Sequence, residues 1–149
     1  MNEVVALQTM SFLNADLEKV KKKIMQESKK GVIDWSLKKC NDVEILYKKW
    51  MICAEEHREM PFVPNKDIDI FWHFHILHTK QYMEDCERYF GRYIHHNPHL
   101  VDTDEMKENR RKSKEIFLQK LGVDAEGMDW QACFWEPDPD EKDECSKCD

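Results

Sequence analysis

Residues 67–99 read DIDIFWHFHILHTKQYMEDCERYFGRYIHHNPH, and this stretch decides the fold. It holds His73, His75, His78, His95, His96 and His99, leaving only His57 of the seven histidines elsewhere. From about Lys66 to Phe90 it reads as one helix, apolar on nearly every side at Ile70, Phe71, Trp72, Phe74, Ile76 and Leu77. A helix apolar all round belongs in the middle of a bundle. Imidazoles carried into that interior need partners. A metal ion is one partner that would take several of them at once. Gly91 closes the helix, and Asn97-Pro98 holds the following RYIHHNPHLV as a loop.

Working outward, residues 8–29 form a first helix, with Met10, Leu13, Leu17, Val20 and Ile24 recurring at steps of three or four. Gly31 is its C-terminal cap, and Asp34 is available as an N-cap for the second helix. That second helix runs from Trp35 or Asn41 to Glu59, its inner face lined by Val43, Leu46, Tyr47, Trp50, Cys53 and Ala54. Pro61 and Pro64 end it, and Asn65 or Asp67 caps the His-rich helix. Asp102 and Glu105 make a capping-box start for a fourth helix, ended by Gly122. No segment alternates in the manner of a strand. The expectation is an all-α chain: a bundle of about four helices over residues 1–122, then an acidic, cysteine-containing segment over 123–149. That last segment is irregular and partly mobile on composition, with Trp130, Phe134 and Trp135 as anchors onto the bundle.

A length of 149 residues suits one domain able to bury its own core. The net charge of −7 argues against a nucleic-acid grip, despite Lys19, Lys21, Lys22 and Lys23 on one early helix. The start, MNEVVALQTMSFL, has no basic n-region, and no apolar run is long enough to span a membrane. Six cysteines in such a chain read as reduced thiols or metal ligands, which places the protein in the cytoplasm.

Helical spacing sorts the polar groups of 66–90 onto two faces. His75, His78, Tyr82 and Cys86 share one; Asp69, His73, Lys80 and Glu84 lie nearly opposite. Two metal sites are open. In one, His73 is a ligand oriented by Asp69 four residues earlier, and His95 and His96 complete three nitrogens. In the other, His75 and His78 supply a pair, joined by His96 or His99, with Cys86 as a further candidate. Zinc, iron and copper all suit such a set. Cys145 and Cys148 form a C-x-x-C with Cys133 upstream, one pair and a single cysteine where a structural zinc site needs four ligands. The ordinary alternative is that these histidines are core and surface residues making hydrogen bonds.

The run Asp69, Trp72, His73, Ile76, Leu77, Thr79, Tyr82, Cys86, Gly91, Ile94, His95, His96 and Pro98 resembles the glycine-rich domain-containing protein-like family of bacteria and plants. The resemblance covers about a fifth of the chain closely, and this chain, with four glycines, lacks a glycine-rich part. His75 and His78 stand outside the bacterial pattern, so the resemblance implies His73, His95 and His96 as the ligands. The functional expectation is a metal-binding helical protein, extending to a metalloenzyme on a small-molecule substrate. The alternative is a non-catalytic module that binds a protein partner, with the histidine motif structural. The residues do not decide whether the chain is catalytic, nor its oligomeric state.

Overall fold

The computed structural model describes residues 3–96 and 103–124, with side chains up to Leu121. Among the described residues the chain is all helical, with no strand. Six α-helices replace the expected four: α1 (Glu3–Met10), α2 (Glu18–Lys29), α3 (Leu37–Glu56), α4 (Lys66–Leu77), α5 (Thr79–Phe90) and α6 (Asp104–Asp124). A 3-10 turn, Ser11–Asn14, joins α1 to α2.

The extra helices come from two breaks that contain neither glycine nor proline. The first divides residues 8–29. It leaves the carbonyls of Ala15 and Asp16 without helical partners, and such groups must be satisfied elsewhere. Lys48 Nζ, buried on α3, donates to Ala15 O at 2.7 Å, and Gln81 Nε2 on α5 donates to Asp16 O at 3.0 Å. Asp16 Oδ1 accepts the Glu18 N–H at 3.0 Å and starts α2. The break lets Phe12, Leu17, Val20 and Ile24 all reach the interior, where each is fully buried. Burying such side chains contributes roughly 1.5–3 kcal/mol each, which outweighs the lost helical bonds.

The second break divides the His-rich helix at His78, whose ψ of 68° lies outside the helical region. His78 Nδ1 lies 2.8 Å from the Phe74 carbonyl, the acceptor that its own N–H would otherwise use. The His78 N–H turns to His75 O at 3.1 Å, and α5 begins with Tyr82 N–H to His78 O at 2.8 Å. The chain therefore turns a corner, and α5 packs against both α4 and α1.

The remaining boundaries follow capping chemistry. Ser36 Oγ accepts Lys39 N–H at 3.1 Å and starts α3, so neither Trp35, Asn41 nor Asp34 does. Asn65 Oδ1 accepts Ile68 N–H at 2.8 Å and starts α4. Thr103 Oγ1, not Asp102, caps α6 by accepting Met106 N–H at 3.1 Å. Gly31 and Gly91 follow α2 and α5 with φ of 80° and 71°, the left-handed conformation that ends helices. Gly122 lies inside α6 and does not end it.

The core is built around α3, which packs on α2, on the 3-10 turn and on α4. Val43, Leu46, Tyr47, Trp50 and Cys53 supply its inner face, as expected, and meet Phe71, Trp72 and Tyr82. α6 joins through Phe117 and Leu121, and its buried Ser113 Oγ accepts the Val63 N–H at 2.9 Å. No described helix is long and apolar enough to cross a membrane.

Candidate functional site: a closed histidine and tyrosine network

The corner at His78 brings together residues that a straight helix keeps apart. Ten residues of continuous helix span about 15 Å. Yet Trp72 Nε1 donates to Tyr82 Oη at 2.9 Å, and His75 Nε2 lies 2.9 Å from Asp85 Oδ2. Both contacts join α4 to α5 across the break.

His75 is the hub. It is 1% exposed, with the Tyr82 ring edge-on to it at 4.8 Å and Phe12 stacked at 6.4 Å. Tyr47 Oη on α3 lies 2.7 Å from its Nδ1. Burial pushes the His75 pKa below its ordinary 6.5, against the opposing pull of Asp85; the charges of His78 and Lys48 push it the same way as burial. The ring is therefore neutral near pH 7 and carries one proton. An ionised Asp85 only accepts, so that proton sits on Nε2, and Nδ1 accepts from Tyr47. Gln81 Nε2 donates to the same Asp85 oxygen at 3.3 Å. Burial raises the Tyr47 pKa well above its usual value, so its hydroxyl remains a donor. The result is a relay, Tyr47 to His75 to Asp85, fixing α3, α4 and α5 in register.

A second relay runs from Trp72 through Tyr82 to the Ile94 carbonyl, which accepts from Tyr82 Oη at 2.5 Å. It fastens the segment after Gly91 to the α4–α5 corner. Burial lifts the Tyr82 phenol far above its ordinary value. Cys86 beside it is also raised by burial, opposed by the polar Ile94 backbone and Tyr82 hydroxyl next to it. Arg92 in the same segment pairs with the buried Glu55 carboxylate of α3. His96 then packs on Trp72, ring centroids 4.2 Å apart, with Nε2 at 2.5 Å from Asp69 Oδ1.

The expected ligands are thus distributed differently from the sequence expectation. His73 and His95 are exposed. His73 has the Phe74 ring at 6.0 Å, and His95 has the Tyr93 ring at 4.8 Å. Asp69 orients His96 rather than His73. His75 is held by Tyr47 and Asp85, and His78 by Phe74 O, so the proposed pair is committed to separate partners. His99, Cys133, Cys145 and Cys148 lie outside the described residues. Among the described residues, no three His, Cys, Asp or Glu side chains are grouped to hold a metal ion. That finding overturns the metal-binding function. The physical reason is that both nitrogens of the buried His75, Nδ1 of His78 and Nε2 of His96 already have protein partners. His57, outside the motif, is half-buried and lies 2.9 Å through Nδ1 from Cys53 O at the end of α3.

Sequence reasoning missed Asp85 and gave Tyr47 only a packing role. The available signal was an equal offset: Trp72 to Tyr82 and His75 to Asp85 are each ten residues apart, donor to acceptor. That offset has meaning only once the helix is known to turn.

A family model described as UCP032817-like matches residues 6–126, well over half of the chain. Glycine-rich domain-containing protein 2 of Arabidopsis thaliana is 30% identical over 92 residues, covering 59% of this chain and 10% of that protein. The chain thus spans about a tenth of the length of that relative. No solved structure matches.

Proposed function

The chain belongs to the UCP032817-like family, and from that premise we propose that it is a non-catalytic helical module that binds other protein segments, with its histidine motif structural. The observation that carries this reading is the closure of the network. The hydroxyls of Tyr47 and Tyr82, the Trp72 indole and both His75 nitrogens each have a protein partner. Tyr82 is 0% exposed, so a substrate cannot touch the centre of the motif. Its role in this reading is to hold α3, α4, α5 and the segment after Gly91 as one rigid unit, a use of buried polar networks that specifies a single packing. The Arabidopsis relative supports a modular role, since the likeness occupies a small part of a much longer protein.

One contact favours a second reading. The Asp69–His96 pair has the form of a carboxylate-oriented base, and His96 is partly exposed. A nucleophilic enzyme needs a hydroxyl or thiol in reach of that base. Among the described residues none is bonded to His96, so the first reading stands.

A stability scan combined with cross-linking in cells tests the proposal. His73→Ala with His95→Ala should leave the urea midpoint unchanged, while Tyr47→Phe and Tyr82→Phe should lower it. Partner peptides cross-linked to the chain should map to surface helices. If His73→Ala and His95→Ala unfold the chain while the tyrosine variants do not, or if no protein partner is cross-linked, the reading is wrong.

A further inference from the structure

The α2–α3 side of the bundle carries a groove of about 630 Å³ that the histidine network does not use. Met25 and the 59%-exposed Leu37 give it apolar walls, and Lys19 and Lys22 stand on its rim. Glu18 and Lys21 also line it, but they are paired with each other at 3.0 Å, and Lys21 reaches Glu44 at 3.0 Å as well. Lys19 and Lys22 have no such ion pair among the described residues, so the groove offers two cations beside an apolar floor. Asn41, in the same lining, holds a buried Oδ1 without a hydrogen-bond donor among the described residues.

The chain itself contains a segment of complementary chemistry. Residues 136–149, EPDPDEKDECSKCD, hold seven Asp and Glu against two Lys, a net −5 of the chain's total −7. The remaining residues are therefore close to neutral, and the negative charge is concentrated behind Phe134 and Trp135. Distance permits a return. Near its end, α6 lies beside the C-terminal end of α3, where Lys120 pairs with Glu56 at 2.5 Å. The groove lies at the other end of α3, beside Leu37 and Asn41. The twenty residues of α3 span about 30 Å. The twelve residues from Asp124 to Glu136 reach about 40 Å when extended.

We propose that the acidic run Glu136–Glu144 of this same chain docks into the lysine-rimmed groove between α2 and α3, with Phe134 and Trp135 covering Leu37 and Met25. The contact combines apolar burial with charge pairing, and a backbone N–H of the docked run supplies the donor that Asn41 lacks. Because the lysines are exposed, the charge part weakens with salt.

Carbodiimide coupling of the full-length chain, which joins lysines only to carboxylates already in contact, tests this directly. An equal mixture of nitrogen-15-labelled and unlabelled protein separates links within one copy from links between copies. The expected result is links from Lys19 and Lys22 to residues 136–144 within one copy, strong in low salt and lost in high salt. Amide exchange over residues 130–144 should also quicken several-fold in the Lys19→Glu/Lys22→Glu chain. The same reversal at Lys107 and Lys112 on α6 should leave that exchange unchanged. Links that join labelled to unlabelled peptides as often as they join like to like would assign the groove to a second copy and overturn the proposal. So would links spread over lysines generally, no links at all, or exchange unaffected by Lys19→Glu/Lys22→Glu.

Discussion

Tyr82→Phe removes a single oxygen and nothing else, which makes it the sharpest test of how the corner is held. In the native chain that oxygen accepts from Trp72 Nε1 at 2.9 Å and donates to Ile94 O at 2.5 Å. Without it, a nearly buried indole N–H has no acceptor, and a carbonyl of the segment after Gly91 loses its donor. A buried group left unpaired costs about 1–3 kcal/mol. Trp72 is buried, so its N–H incurs most of that cost. Ile94 is only half-buried, and water can reach its carbonyl, which reduces the second cost. The sum is about 2–3 kcal/mol. With a urea slope of about 1.5–2 kcal/mol per molar, the unfolding midpoint should fall by about 1–2 M at unchanged slope. The assay is urea denaturation followed by far-ultraviolet circular dichroism, with exposed Tyr93→Phe as control, expected within about 0.5 kcal/mol of the parent. A Tyr82→Phe loss no larger than that control would refute the claim that the network holds the corner.

Three further outcomes rest on the same geometry. His75 has a native pKa below the 6.5 of the unfolded chain, because burial outweighs Asp85, so the unfolded state takes up the proton first. The contribution of this residue is complete above 6.5 and is lost as pH falls from there through the lower native value; urea midpoints at about pH 7.5 and about pH 5 measure it, and equal midpoints would contradict it. Asn65→Ala deletes the cap on the Ile68 N–H and should lower stability by about 1 kcal/mol, read as a drop in melting temperature. Burial holds the Cys40 and Cys53 thiols at about 11 and raises Cys86, so iodoacetamide near about pH 8 should label none of the three in the folded chain and all of them in urea. Labelling of folded Cys86 at the rate of a free thiol would show that its packing is wrong.

Much of the helix content is legible in the sequence because apolar spacing reports burial. Val20 and Ile24 on α2, Val43 and Leu46 on α3, and Tyr82 and Cys86 on α5 are buried at the positions their periodicity indicates. Of the two faces expected for the motif, His75, Tyr82 and Cys86 are buried and His73, Lys80 and Glu84 are exposed, whereas His78 and Asp69, on opposite faces, are both half-buried. The breaks at Ala15 and His78 are not legible, because neither uses proline or glycine. Each depends on groups distant in sequence or on side-chain competition, Lys48 and Gln81 in one case and His78 Nδ1 in the other. A straight helix would put Asp85 about 15 Å from His75 and give it no place in a site. A cluster of histidines then invites a metal, although Tyr47 and Asp85 are the partners that burial requires. The mobility expected toward the end of the acidic C-terminal segment lies outside the described residues.

His75 is a neutral hub bonded through both ring nitrogens. Long-range nitrogen–proton correlation spectra of the imidazole groups test it most directly. His75 is expected as the Nε2–H tautomer, unchanged from about pH 8 to below its ordinary 6.5, and indifferent to added zinc. An Nδ1–H tautomer, a titration at or above 6.5, or a shift of its ring nitrogens on adding zinc would show that Tyr47 and Asp85 do not hold the ring in this way.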